Sequence, residues 1–284
     1  MKVRKFLLEN EKGQQFDMNN YKKGCLLTNP TELGYSNKSE FYQIGNTFIE
    51  TIRTVEQKNP SGIANFNSYD KYKEFIDFIE MSYKLKFVYI VPFELGYKTY
   101  YRDVSISAIQ KTEKQAKMLS CPVSFYGLSL WYLATTAIYE MTAGENEMRW
   151  DFVWDSRFSN YSNRSLSYIN EGHVEAPIEV TINGNVKNPK IELYVEGDLY
   201  QTVKFNITLS QYEKLSYGTR ENNFYLLKEE ADGTTTDIFN LDVVDFENDN
   251  VIRLPKGKSC EIRLVAENDI SSAEVIIYSY FKAV

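Results

Sequence analysis

The sequence predicts a mainly β protein of two domains: an N-terminal β-rich domain with one α-helix and a C-terminal β-sandwich. Three observations lead there. Residues 100–132 carry the period-2 signature of a long antiparallel hairpin, with Val104, Ile106 and Ala108 sharing one parity and Leu119, Cys121, Val123 and Phe125 another. One clear stretch, 67–82, has helical spacing. From Pro177 onward, short apolar runs recur at roughly 8–12-residue spacing with turn signals between them, the sequence form of a sandwich. The change of rhythm after Trp131 makes the hairpin the last element of a first domain, 1–138, followed by a second, 139–284.

Taken in order, residues 3–8 and 14–18 flank Lys12-Gly13 and read as an opening hairpin. In the loop-rich span that follows, Asn29-Pro30, Gly34 and Gly45-Asn46 punctuate the chain, and Phe48, Ile49, Ile52 and Val55 suggest a strand. The helix near 68–82 places Tyr69, Tyr72, Phe75, Ile76 and Ile79 on one stripe. Asn67 or Ser68 caps its first turn and Asp70 suits its positive end. Residues 85–91 form a nearly continuous apolar strand, expected to end at Pro92 and Gly96. The charged tip of the organising hairpin, 111–117, is expected to project into solvent or onto a partner.

Beyond Trp131, Trp150, Phe152 and Trp154 alternate and would give a strand one large apolar face, buried or interdomain. The expected sandwich strands are 178–182, 190–195, 202–209, 223–228, 238–244, 251–254, 260–266 and 274–281. The last is apolar on both faces, so it is central in its sheet or covered by the first domain.

Composition narrows the function classes. Lys plus Arg is 32 against 39 for Asp plus Glu, a net charge of −7, which argues against a nucleic-acid footprint. No apolar run approaches the ~20 residues of a membrane helix, and the opening residues turn acidic and polar too soon for a signal peptide, so a soluble cytosolic product is expected. Cys25, Cys121 and Cys260 are odd in number and far apart, and read as buried reduced thiols rather than a disulfide or metal site. His173 is the single histidine, in a polar loop, so one chain cannot assemble a Ser-His-Asp, Cys-His or multi-histidine site. Neither a P-loop nor a dinucleotide glycine fingerprint is present. Asp245, Glu247 and Asp249 could in principle serve a glycosidase pair or calcium, but lie between strand runs and read first as an acidic turn. No catalytic, cofactor or metal residue is assigned, and the protein is not expected to be an enzyme. Tyr194, Tyr200, Tyr212, Tyr217 and Tyr225 are the candidates for a rival function, a carbohydrate-binding module that recognises cell-wall polysaccharide by aromatic stacking.

The opening MKVRKFLLENEKGQQFDMNN, then GCLLTNPTELGYSNKSEFYQIGNTFIE, the helix SYDKYKEFIDFI, and YYRDVSISAIQKTE followed by LSCPVSFYGLSLWY resemble, in that order, the distal tail proteins of siphophages infecting Gram-positive bacteria. Further on, NEGHVEAPIEVTINGNVKNPKIELYV and LPKGKSCEIRLVA are similar to that family's second domain. The resemblance implies a structural protein of the tail tip, or of a related phage-derived contractile or prophage particle, whose first domain forms a hexameric ring coaxial with the tail tube. The ring joins the tube to a tail-associated hub, lysin or fibre protein. A galectin-like or carbohydrate-module-like second domain faces outward and scaffolds receptor-binding proteins in some phages. No cofactor, nucleic-acid binding or membrane insertion is implied, and the expected location is the virion tail tip.

Overall fold

A computed structural model describes residues 3–94, 96–115, 117–140, 157–158, 165–221, 223–239, 243–244, 251–268, 270 and 272–284. They divide into two compact units, Met1–Leu133 with Phe281–Val284, and Ala134–Tyr280.

In the first unit, Lys5–Asn10 pairs with Gln15–Asp17 and, on its other side, with Leu85–Phe93. Leu85–Phe93 pairs with Gly96–Ile109, and that strand with Leu119–Gly127, which are the two arms of the expected hairpin. Leu119–Gly127 pairs with Ser61–Phe66, and Ser61–Phe66 with Cys25–Thr31. The sheet then returns on itself. The Met18 N–H donates to the Phe6 carbonyl at 3.2 Å, and the Leu27 N–H donates to the Met18 carbonyl at 2.9 Å, so the segment 15–20 joins the first strand to Cys25–Thr31. The result is a closed barrel, which pairs the edges an open sheet would leave bare.

Alternation decides which side chains fill the core: Phe6, Leu8, Leu119, Cys121, Val123 and Phe125 are buried while their neighbours are not, whereas Phe87, Val88 and Tyr89 are buried in succession. In Gly96–Ile109 the buried parity is the expected one but stops short, with Tyr100, Arg102 and Val104 inside and Ala108 exposed. The strand from Leu85 does not end at Pro92. It runs to Phe93, with Pro92 opposite Tyr97 beside the turn that joins the two strands and past the last pair with Lys5–Asn10, where a missing N–H costs little.

The helix is Tyr69–Glu80. The Lys71 N–H donates to the Ser68 side chain at 3.2 Å, making Ser68 the cap. Phe75 is fully buried between Phe16 and Phe66, with ring centroids 4.9 and 5.4 Å away, and Tyr72, Ile76 and Ile79 are half-buried beside it. No helix among the described residues is long and apolar enough to cross a membrane.

The second unit is a β-sandwich. One sheet runs Thr235–Asp237, Asn223–Glu229, Lys214–Arg220, Ala176–Asn183, Ser272–Phe281; the other runs Arg157–Phe158, Ser165–Ile169, Ser259–Val265, Lys190–Val195, Asp198–Lys204. Ile178, Val180, Leu215 and Ile277 from the first meet Ile191, Leu193, Val203 and Ile262 from the second in one core. Of the expected strands, 202–209 divides into the end of Asp198–Lys204 and Thr208–Leu209, and 251–254 shortens to Arg253–Leu254. Residues 238–239 and 243–244 form no strand, only an isolated bridge between Val244 and Phe205; residues 240–242 lie outside the described ones. The strand Lys214–Arg220 is not evident in the sequence, because Ser216 and Gly218 break its apolar run. A Cβ on Gly218 would stand 2.5 Å from the Tyr225 ring, so glycine is what lets that ring lie across the strand. The final strand buries Tyr278 and Tyr280 on the face opposite its core residues. There the Tyr278 hydroxyl donates to Glu179 at 2.7 Å and the Arg220 Nε–H to the Tyr280 hydroxyl at 3.3 Å.

Candidate assembly surface

Asn37–Ile44 and Thr47–Val55 pair only with each other, as a ribbon leaving the barrel. The sequence marks the strand at Phe48–Val55 but not its setting. Every residue from Thr47 to Val55 is exposed, with Phe48 at 68%. The register puts Tyr42, Ile44, Ile49 and Ile52 on one face and Phe41, Phe48 and Val55 on the other. Each face also carries polar groups, among them Lys38 and Glu40 on the first and Gln43, Glu50 and Arg53 on the second. A two-stranded ribbon alone is marginal in water, and apolar side chains on both of its faces gain nothing from solvent.

The base of this ribbon is fixed. Ser36 hydrogen-bonds Glu56 across the two strand ends, and Lys58 pairs with Glu32 at 3.0 Å. Gln57 Nε2 donates to the Gly127 carbonyl at 2.9 Å, the Gly127 N–H donates to Asn59 Oδ1 at 3.3 Å, and the Phe125 N–H to the Pro60 carbonyl at 2.9 Å. Gly127 is irreplaceable here, since a Cβ would lie 2.2 Å from the Lys58 carbonyl oxygen and 2.6 Å from an Arg102 terminal nitrogen. Arg102 itself is 2% exposed, and its Nε has no hydrogen-bond partner among the described residues. Burial pushes its guanidinium down to about 10, only partly offset by the charge of Glu32.

Residues 111–115 and 117 of the tip are exposed to solvent, as expected, and they also touch the fold. They lie against the start of the helix: Lys111 Nζ sits 5.5 Å from the Tyr69 ring centroid, the Tyr69 hydroxyl meets Glu113 at 3.4 Å, and the Tyr21 hydroxyl donates to the Lys117 carbonyl at 2.9 Å. The lysine side chains of the tip remain exposed.

The tyrosines proposed for sugar stacking do not form one platform. Tyr217 is in the sandwich core, where its hydroxyl accepts from the Ile252 N–H at 3.2 Å. Tyr194 lies under Arg263, whose guanidinium carbon is 4.1 Å from its ring centroid, and Tyr225 is half-buried over Gly218 on the other sheet. Tyr200 and Tyr212 are exposed, one on the strand Asp198–Lys204 and the other in the turn before Glu213. His173 sits in a turn, its N–H donating to the Tyr280 carbonyl at 2.7 Å. Cys25, Cys121 and Cys260 are buried free thiols; burial raises all three, Cys25 to about 12 and Cys260 to about 11. Asp245, Glu247 and Asp249, and the alternating Trp150, Phe152 and Trp154, lie outside the described residues. Among the described residues, no group of three or more His, Cys, Asp or Glu is placed to hold a metal ion.

The described residues thus combine a closed barrel, a rooted ribbon that nothing else among them packs, and a β-sandwich following in the chain, and the ribbon is a surface suited to assembly. Residues 5–128 match the family model described as the N-terminal domain of distal tail protein. Two solved structures of the phage p2 baseplate in its activated conformation, one with strontium and one with calcium, contain chains that match at 16% identity over 100% of both chains, with a TM-score of 0.68. The Dit protein of SPP1, described as a paradigm of the hub adsorption apparatus in phages infecting Gram-positive bacteria, matches at 8% identity over 98% of this chain and 99% of that one, with a TM-score of 0.58. At these identities the structural likeness speaks to the fold alone. No curated protein matches the chain significantly.

Proposed function

We propose that six copies close into a ring coaxial with the tail tube, joining the tube to the hub or fibre protein below, with the second unit outward as a scaffold for receptor-binding proteins. The observation that carries this reading is the ribbon 37–55. It is rooted at Gly127, apolar on both faces and packed by nothing else among the described residues. A neighbouring copy would bury both the apolar side chains and the free strand edges. A head-to-tail contact of this kind, repeated by rotation, must either close or run on as a filament, and an adaptor at the end of a tube requires closure. The outward second unit, the tube and fibre partners, and assembly from a product made in the bacterial cytoplasm follow from the family resemblance.

Negative-stain electron microscopy of the full-length protein, alone at high concentration or with the downstream tail protein, tests it. Sixfold rings are expected. They should be lost when Phe41, Phe48 and Ile52 are replaced by serine, in a variant whose circular dichroism and melting match the wild type. Placement of this chain away from the tube axis in an assembled particle overturns the reading.

A further inference from the structure

The net charge of −7 conceals opposite charges on the two units. Residues 1–133 with 281–284 hold 19 Lys and Arg against 14 Asp and Glu, a balance of +5, whereas 134–280 hold 13 against 25, a balance of −12. Within the first unit much of the positive charge converges at the start of the helix. Lys22 and Lys23 form the short 3-10 turn Tyr21–Lys23, and the Lys22 carbonyl accepts from Asn67 beside the helix cap. The Lys71 stem passes over Gly24, where an added Cβ would be 2.9 Å from its Cδ. Lys111, Lys114 and Lys117 arrive on the hairpin tip, held there by Tyr69 and Tyr21. Against these six lysines stand Asp70, Glu74 and Glu113. Glu74 is taken by Lys71, and Glu113 meets the Tyr69 hydroxyl. Lys22, Lys23, Lys111, Lys114 and Lys117 have no carboxylate within 4.0 Å among the described residues. Their charges also crowd the positive end of a helix dipole, where cations are disfavoured. Such a patch is maintained against local electrostatics.

We infer that this lysine crown is a docking surface for the acidic second unit of another copy of the chain. Charge complementarity selects that occupant: the chain supplies both a patch of +3 and, in each further copy, a unit of −12 with exposed carboxylates such as Asp198, Asp232 and Asp237. Opposite fields of this kind steer association and set orientation, and act within about 8 Å at physiological ionic strength. Nucleic acid fits the crown less well. Single strands bind through free aromatic faces, whereas the partly exposed Tyr69 ring already has Lys111 over it and the Tyr21 hydroxyl is bound to Lys117. The inference takes self-association from the proposed ring and adds which charged surfaces meet.

The test is zero-length carbodiimide cross-linking of a one-to-one mixture of unlabelled and 15N-labelled full-length protein at low salt. Mixed-isotope peptides joining Lys22, Lys111, Lys114 or Lys117 to carboxylates of 134–280 are expected, and should fade at high salt. The triple variant Lys111→Glu, Lys114→Glu, Lys117→Glu should lose them and self-associate about tenfold more weakly, as the loss of a few exposed ion pairs would give. Its circular dichroism should be unchanged. Absence of crown lysines from mixed-isotope links, or unaltered association of the variant, overturns the inference, as does salt-sensitive duplex DNA binding by the crown without such links. Rings without crown links would sink this inference and leave the ring standing; crown links in dimers or filaments would do the reverse.

Discussion

The Arg102 guanidinium carbon lies 5.7 Å from the centroid of the Trp131 ring, so an aromatic face stands beside a buried charge that no carboxylate among the described residues touches. A buried cation without a bonded anion costs stability, and a flexible apolar side chain of similar length should do at least as well. Arg102→Met is expected to melt at or above the wild-type temperature. Arg102→Ala should lose about 2 kcal/mol by leaving a cavity. A clear drop for Arg102→Met, measured by calorimetry, would show that the guanidinium makes a net favourable contribution where it sits.

Phe75→Asp should leave the protein unfolded or insoluble, because the charge would be placed between Phe16 and Phe66 with no water and no partner. The penalty is several kcal/mol out of a domain's roughly 5–15 kcal/mol. Phe75→Leu should fold and lose about 1 kcal/mol. A folded Phe75→Asp protein that had lost only a binding activity would make the stripe a partner site.

Gly218→Ala forces the Tyr225 ring aside, at an expected cost of about 1–3 kcal/mol. Tyr225→Leu alone should cost less, and the double variant should recover most of the Gly218→Ala loss. Additive effects in denaturant melts would mean the two residues are not coupled.

Alkaline pH should destabilise the protein before it does anything else to it. Cys25 and Cys260 are raised by burial to about 12 and 11, and Tyr225 to about 12, so the folded chain keeps protons that the unfolded chain releases from pH ~9 for the thiols and ~10 for the tyrosine. Their contribution is fully present below those values and is lost as pH rises through 11–12. Denaturation midpoints measured from pH 8 to 11 should fall, less steeply for Cys25→Ala. The native thiols should resist a disulfide reagent at pH 8.

A fragment 134–280 should be soluble with a β-type circular dichroism spectrum, since both sheets and their shared core fall inside it. A helical or disordered spectrum would deny that the second unit is a domain in its own right.

The elements whose partners are near in sequence were the readable ones. The helix stripe around Phe75 and the alternation of Leu119, Cys121, Val123 and Phe125 show their burial in their spacing. Tyr217 misled because a tyrosine in a strand has the same pattern whether its face is the core or the surface, and Lys214–Arg220 was missed because Gly218 serves a neighbouring ring rather than its own strand. Arg102 has the parity of a core residue, which the sequence displays, but the absence of a bonded carboxylate depends on where the chain brings residues 32, 58 and 127 together. The ribbon 37–55 was half legible. Its apolar residues read as an ordinary strand, and nothing local says that no layer of the same unit covers them.

The bonds that Met18 makes to Phe6 and Leu27 reach beyond the stability of the barrel. A protein at high concentration is at risk wherever a sheet ends in bare main chain, since identical edges recognise one another and grow into fibrils. By sealing the seam of its barrel at one residue, this chain withdraws that part of its sheet from such accretion. What it leaves available there is side-chain chemistry, whose contacts depend on shape and charge rather than on a repeating main-chain ladder.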